Sequence, residues 1–230
     1  MADQPTPAPS GHHRPAVVPT AVPVLRGWLH LACFVASVPA GLFLVVTAGS
    51  TSARAAGSVY AVGLSMLFGV SATYHRQRWS ATARTRLGRL DHATIFVMIA
   101  ASYTPLCVVT LGGALGTGIL VTAWTGAAVG AVLASVDIAQ KPVLGLVFYI
   151  GLGWLMALAL PELARRLGAG DLALVVGGGV VYTAGGIVLA TRWPDPFPAV
   201  FGYHEVWHLM VAVAATCHYV VIATVVRAAA

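Results

Sequence analysis

A bundle of seven membrane-spanning α-helices, N-terminus in the cytoplasm and C-terminus outside, is the fold class this sequence predicts. Of its 230 residues, 58% are hydrophobic and 9% are charged. A soluble domain carries roughly a quarter charged residues, so these few charges cannot cover a globule with a solvated surface. The apolar residues gather in seven stretches, each near the ~20 residues that cross a bilayer. No apolar/polar alternation runs far enough for a barrel, and backbone in lipid must then close its hydrogen bonds within helices. This composition excludes a cytosolic enzyme and a soluble nucleic-acid binder, although a pI near 9.7 and a net charge of +6 suggest the latter on their own.

In chain order, residues 1–24 come first and hold six of the thirteen prolines, together with His12, His13 and Arg14. Such a segment has no apolar area to bury and is expected to be a disordered tail preceding one transmembrane domain, 25–230. The seven stretches follow at 28–48, 55–75, 90–111, 115–136, 143–163, 172–190 and 202–226. The first is longer than the 7–15 residues of a signal-peptide core and is read as a span. Pro39 and Pro105 are expected to kink the first and third helices. Gly126, Gly130, Gly177–Gly179, Gly185 and Gly186 offer flat patches for close helix packing. Cys33, Cys107 and Cys217 sit in apolar stretches without a CxxC spacing and read as small packing residues. No repeat relates the two halves, which argues against a transporter.

Basic residues set the orientation. The stretch between the second and third helices carries Arg76, Arg78, Arg84, Arg86 and Arg89 and no acid. Placing it in the cytoplasm puts nine of the thirteen Lys and Arg on that side, with the tail inside and the bacterial plasma membrane as the expected location. The +6 charge is then a topology signal.

Ionisable residues at membrane depth are costly and mark function by default. With the arginine-derived topology, Ser71 and His75 end the second helix, Asp91 and His92 open the third, and His204, Glu205 and His208 open the seventh. All of them reach the cytoplasmic end. His204 and His208 are four apart and share a helix face, the spacing at which two imidazoles hold one metal ion. His75 supplies a third nitrogen. Three protein ligands with an open fourth position are the catalytic zinc pattern, and imidazoles favour zinc over magnesium or calcium. Asp91 is a candidate general base or water holder, with helix capping as its plain alternative. Ser71 is a candidate to orient substrate, with helix packing as its alternative. His92 and His30 read as helix-start or interfacial residues. His218, about 15 Å along the axis from His208, reads as a hydrogen-bonded interior residue outside the metal site. Trp28, Trp79 and Trp193 fit an aromatic belt.

The ordered set Ser71-Ala72-Thr73-Tyr74-His75, Arg89-Leu90-Asp91-His92-Ala93, Ser102-Tyr103-Thr104-Pro105 and His204-Glu205-Val206-Trp207-His208 resembles the hemolysin III family. That family is related to the progestin and adipoQ receptors and, more remotely, to alkaline ceramidases. The resemblance runs from the first helix to the seventh. It implies zinc on His75, His204 and His208, a water-mediated acid at Asp91 and a site serine at Ser71. Activity among relatives includes ceramide amide hydrolysis, and bacterial members are named for haemolysis. The proline-rich tail departs from the pattern.

Four functions remain open on the sequence. The first is a zinc-dependent hydrolase of a membrane-lipid amide or ester, serving membrane-lipid homeostasis. The second is a pore-forming cytolysin or channel, although a self-inserting toxin needs a polar soluble form. The third is a receptor-like regulator with structural zinc. The fourth is an intramembrane metalloprotease with Glu205 as base, although its motif would be expected in an early helix.

Overall fold

The computed structural model describes residues 22–136 and 142–229. Most of the proline-rich tail and Lys141 lie outside the described residues. Ten helical segments build the bundle: α1 (Trp28–Val46), α2 (Thr51–Arg76), α3 (Ala81–Pro105) running into a π-helical turn (Leu106–Leu111), α4 (Gly113–Ser135), α5 (Pro142–Gly153) running through a 3-10 segment (Trp154–Ala159) into α6 (Leu160–Arg166), α7 (Ala169–Thr191) and α8 (Tyr203–Ala228). Seven of the helices so joined are long and apolar enough to cross a membrane. The expected spans agree with these to within a few residues, apart from the start of the third.

The core is mainly apolar, but the outer surface is unlike that of a soluble domain. Val35, Val38, Leu42 and Val46 on α1 face outward, whereas His30, Ser37, Ser71, Glu205 and His208 are buried. Outward valine and leucine suit hydrocarbon, and polar groups turn inward because lipid offers no hydrogen-bond partner.

The third helix begins at Ala81, about two and a half turns before the expected apolar start at residue 90. Ser80 caps it by accepting the Ala83 N–H at 3.3 Å. Five of the nine residues 81–89 are Ala or Arg, which favour helix regardless of hydropathy. The arginines therefore sit on helix, and Asp91 lies ten residues inside it. An acid so deep does not serve as a cap, since α3 has no acidic residue in its first turn. Pro105 ends α3, and the π turn starts at the next residue. Pro39 sits inside an otherwise continuous α1.

The fifth span is irregular. Its 3-10 segment leaves backbone groups that Tyr103 of α3 satisfies: its hydroxyl donates to Leu152 O at 2.8 Å and accepts the Met156 N–H at 3.2 Å. Glycines take the close contacts elsewhere. A Cβ on Gly178 would stand 2.6 Å from the His218 ring, and one on Gly185 would stand 2.8 Å from Trp207. Gly130 fits directly under the Phe96 ring. The three cysteines are free thiols.

Candidate metal centre

The site lies at one end of the bundle, where α2 finishes and α8 starts. His75 is the penultimate residue of α2, and His204 and His208 occupy the first turns of α8. One ligand nitrogen from each lies within 4.8 Å of the others. His75 Nε2 and His204 Nε2 are 3.3 Å apart, and the His204 and His208 rings approach to 4.5 Å between centroids. For a tetrahedral zinc with Zn–N of about 2.05 Å, neighbouring nitrogens stand about 3.3 Å apart. These three histidines can hold a metal ion, and the donor set fits zinc.

Asp91 reaches the triad from α3, with Oδ2 3.7 Å from His75 Nε2. Ser71, one turn before His75, is buried and hydrogen-bonds His30 Nδ1 at 2.9 Å. His30 stacks on His208, with centroids 3.8 Å apart and planes 14° from parallel. The expected interfacial place for His30 is therefore corrected: it is 3% exposed and belongs to the cluster. One signal for this was in the sequence, since His30 is the one histidine or charged residue in the otherwise apolar α1. His92 turns its Nδ1 to Gly88 O at 2.8 Å and stays off the triad. His218 hydrogen-bonds Val175 O at 3.1 Å through Nε2, as an interior residue does.

Glu205, between the two α8 histidines, faces away from them. It pairs with Arg26 Nε and accepts the Gly202 N–H at 2.9 Å, closing the helix start. Val24 and Leu25 donate their N–H groups to Ala199 and Val200 carbonyls at 3.1 Å, so the turn entering α1 is tied to the loop before α8. This anchor holds His204 and His208 in register, and Arg26 was not singled out in the sequence.

Below the cluster a cavity of about 190 Å³ runs into the bundle. His30, Ser71, Asp91, His204 and His208 line its head. Apolar side chains such as Ile95, Met98, Leu146 and Val211 form its walls, and Trp154 and His218 line its far end.

A haemolysin-III related family model matches residues 20–219, a range that includes every helix named above except the last turns of α8. The chain belongs to the haemolysin III family. It is 31% identical to Hemolysin-3 of Bacillus cereus over 180 residues, covering 76% of this chain and 78% of that protein. It is likewise 31% identical to the Hemolysin-3 homolog of Bacillus subtilis (strain 168) over 178 residues, covering 76% and 80%. The human monocyte to macrophage differentiation factor is 30% identical over 165 residues, covering 70% of this chain and 66% of its own. The family resemblance read from the ordered motifs therefore holds, with a progestin and adipoQ receptor-like relative beside the bacterial ones.

Proposed function

We propose that this haemolysin III member is a zinc-dependent hydrolase that cleaves an amide or ester of a membrane lipid, at the cytoplasmic face of a bacterial plasma membrane. The observation that carries the reading is an apolar cavity whose head is lined by two of the three candidate ligands, His204 and His208, together with His30, Asp91 and Ser71. A purely structural metal site has no need of an enclosed apolar chamber beside it. The N-terminus inside and C-terminus outside follow from the excess of arginine on the side of the site.

His75, His204 and His208 would hold the ion. A zinc ion in such a three-nitrogen site supplies Lewis acidity and lowers the pKa of a water to near 7. Asp91, beside His75, takes a proton from the attacking water and returns it to the leaving atom. The water oxygen bonds to the carbonyl carbon, and the C–N or C–O bond breaks with its electron pair going to nitrogen or oxygen. A carboxylic acid, which keeps the second proton of the water, and an amine or alcohol result. If His30 Nδ1 donates to Ser71 Oγ, the serine keeps its own hydrogen for the carbonyl oxygen. The apolar walls seat the lipid chain and exclude bulk water, which strengthens each of these interactions.

Purified protein in nanodiscs, supplied with long-chain amides and esters, tests the reading. Hydrolysis that a zinc chelator abolishes and zinc restores supports it. Stoichiometric zinc with no hydrolysis of any lipid amide or ester goes against it. The name Hemolysin-3, borne by the Bacillus cereus relative, favours a second reading, a pore-forming cytolysin. Bilayer conductance that survives loss of His204 and His208 would support that alternative.

A further inference from the structure

Among the described residues, three buried side-chain atoms lack a hydrogen-bond partner: His30 Nε2, Thr110 Oγ1 and the Tyr149 hydroxyl. Buried polar groups are nearly always paired, so an orphan calls for a reason. His30 belongs to the cluster, where its ring stacks on His208. Thr110 lies in the π turn at the far end of α3. Tyr149 is different, because it lines the cavity and takes no part in the histidine cluster.

Its position follows from the helices. α3 and α5 both enter the bundle from the end that carries the histidines, because α4 returns the chain to that end. Asp91 lies ten residues into α3 and Tyr149 seven into α5. At 1.5 Å per residue Tyr149 lies about 10 Å along α5; Asp91, although ten residues into α3, stands beside His75 at the end of α2, because α3 starts well before the span. Both groups line the same cavity. The Tyr149 ring packs on Phe96, with centroids 4.7 Å apart. Phe96 itself is 1% exposed and held under Gly130, so the phenol is braced from behind. A phenol O–H is both donor and acceptor. Here it lies in an apolar chamber that also exposes Asp91 and Ser71.

Resting on the hydrolase reading above, we infer that Tyr149 is a substrate-contacting residue whose hydroxyl donates a hydrogen bond to the carbonyl oxygen of the lipid amide or ester. Stabilising a developing oxyanion calls for donors already in place, and sites of this kind commonly offer more than one. Ser71 is one donor, from α2. Tyr149 is the second, from α5, across the cavity. The orphan hydroxyl is then satisfied only when a carbonyl is bound. The same donor discriminates by chemistry, since a lipid with an ether or alkane in place of the carbonyl leaves the phenol unpaired.

The test is Tyr149→Phe, which keeps the ring on Phe96 and removes only the donor. Two quantities are read on zinc-loaded protein in nanodiscs. One is the affinity for dodecanamide, followed by isothermal calorimetry beside dodecane. The other is steady-state hydrolysis of whichever long-chain amide or ester the wild type turns over. The expected results are roughly three- to tenfold weaker dodecanamide binding and a kcat lowered by about 10²–10³. Zinc content and Tm should stay at the wild-type level, which a merely structural tyrosine would not guarantee. Dodecanamide bound equally by the two proteins, or unchanged kcat, overturns the assignment. If the wild type hydrolyses nothing, the hydrolase reading fails. The binding comparison then still decides whether Tyr149 recognises a carbonyl.

Discussion

His30 of α1 lies flat on His208 of α8, ring centroids 3.8 Å apart, while its Nδ1 is tied to Ser71 of α2. The first two helices and the last thus together fix the plane of one candidate ligand ring. Groups that orient metal ligands commonly change affinity by 10–100-fold when removed. His30→Ala is accordingly expected to weaken zinc binding by about that factor without removing a ligand. Competition against a fluorescent chelator measures it, and an unchanged affinity would show the stack to be incidental.

The ligands themselves are tested by metal analysis. Wild-type protein is expected to carry one zinc per chain, and His75→Ala and His208→Ala to carry almost none, because two nitrogens hold the ion poorly. Full zinc in either variant removes the site.

Asp91 is expected to separate catalysis from metal binding. Its carboxylate stands 3.7 Å from His75 Nε2, too far to hydrogen-bond that candidate ligand nitrogen. Asp91→Asn should keep its zinc and lose about 10²–10⁴ in kcat, the range for a positioned proton-transfer group. An Asp91→Asn variant with wild-type turnover would favour structural zinc.

Glu205 is expected to matter for stability and not for chemistry. It is 2% exposed and pairs with Arg26, which is partly exposed. Removing one partner of a buried pair strands the other charge, at a cost of about 3–5 kcal/mol. Arg26→Ala should fall toward the low end because water reaches the arginine. Glu205→Gln keeps the cap to Gly202 and should lose less stability and retain hydrolysis. Thermal unfolding beside a turnover assay checks both variants. Cleavage of a membrane peptide by the wild type, abolished in a stable, zinc-loaded Glu205→Gln protein, would restore the protease reading.

Orientation has its own check. Alkaline phosphatase fused after residue 230 is expected to be active in a bacterial host, and a fluorescent protein fused at the N-terminus to fluoresce. The opposite pattern would move the histidines to the outer face.

The seven spans were legible because lipid makes hydropathy almost equivalent to helix. A run of some twenty apolar residues has few other ways to satisfy its backbone. Where that equivalence lapses, so did the reading. Residues 81–89 are helical but polar, and Asp91 therefore lies deep in a helix it was expected to open. The His75, His204 and His208 set was legible from the i, i+4 spacing and a shared depth. His30 was not, since nothing in α1 by itself says which ring faces α8.

By itself, then, the sequence determined a membrane bundle, its spans and the three imidazoles that gather at one end. Hydropathy and helical spacing are local properties, and each is decided within about twenty residues. Only the tertiary structure decided the rest. It paired Arg26 with Glu205 and stacked His30 on His208. It also set the Tyr149 hydroxyl, unpartnered, in the same chamber as Asp91 and Ser71. Those relationships join helices up to 179 residues apart, and they depend on which faces the glycine-lined contacts bring together.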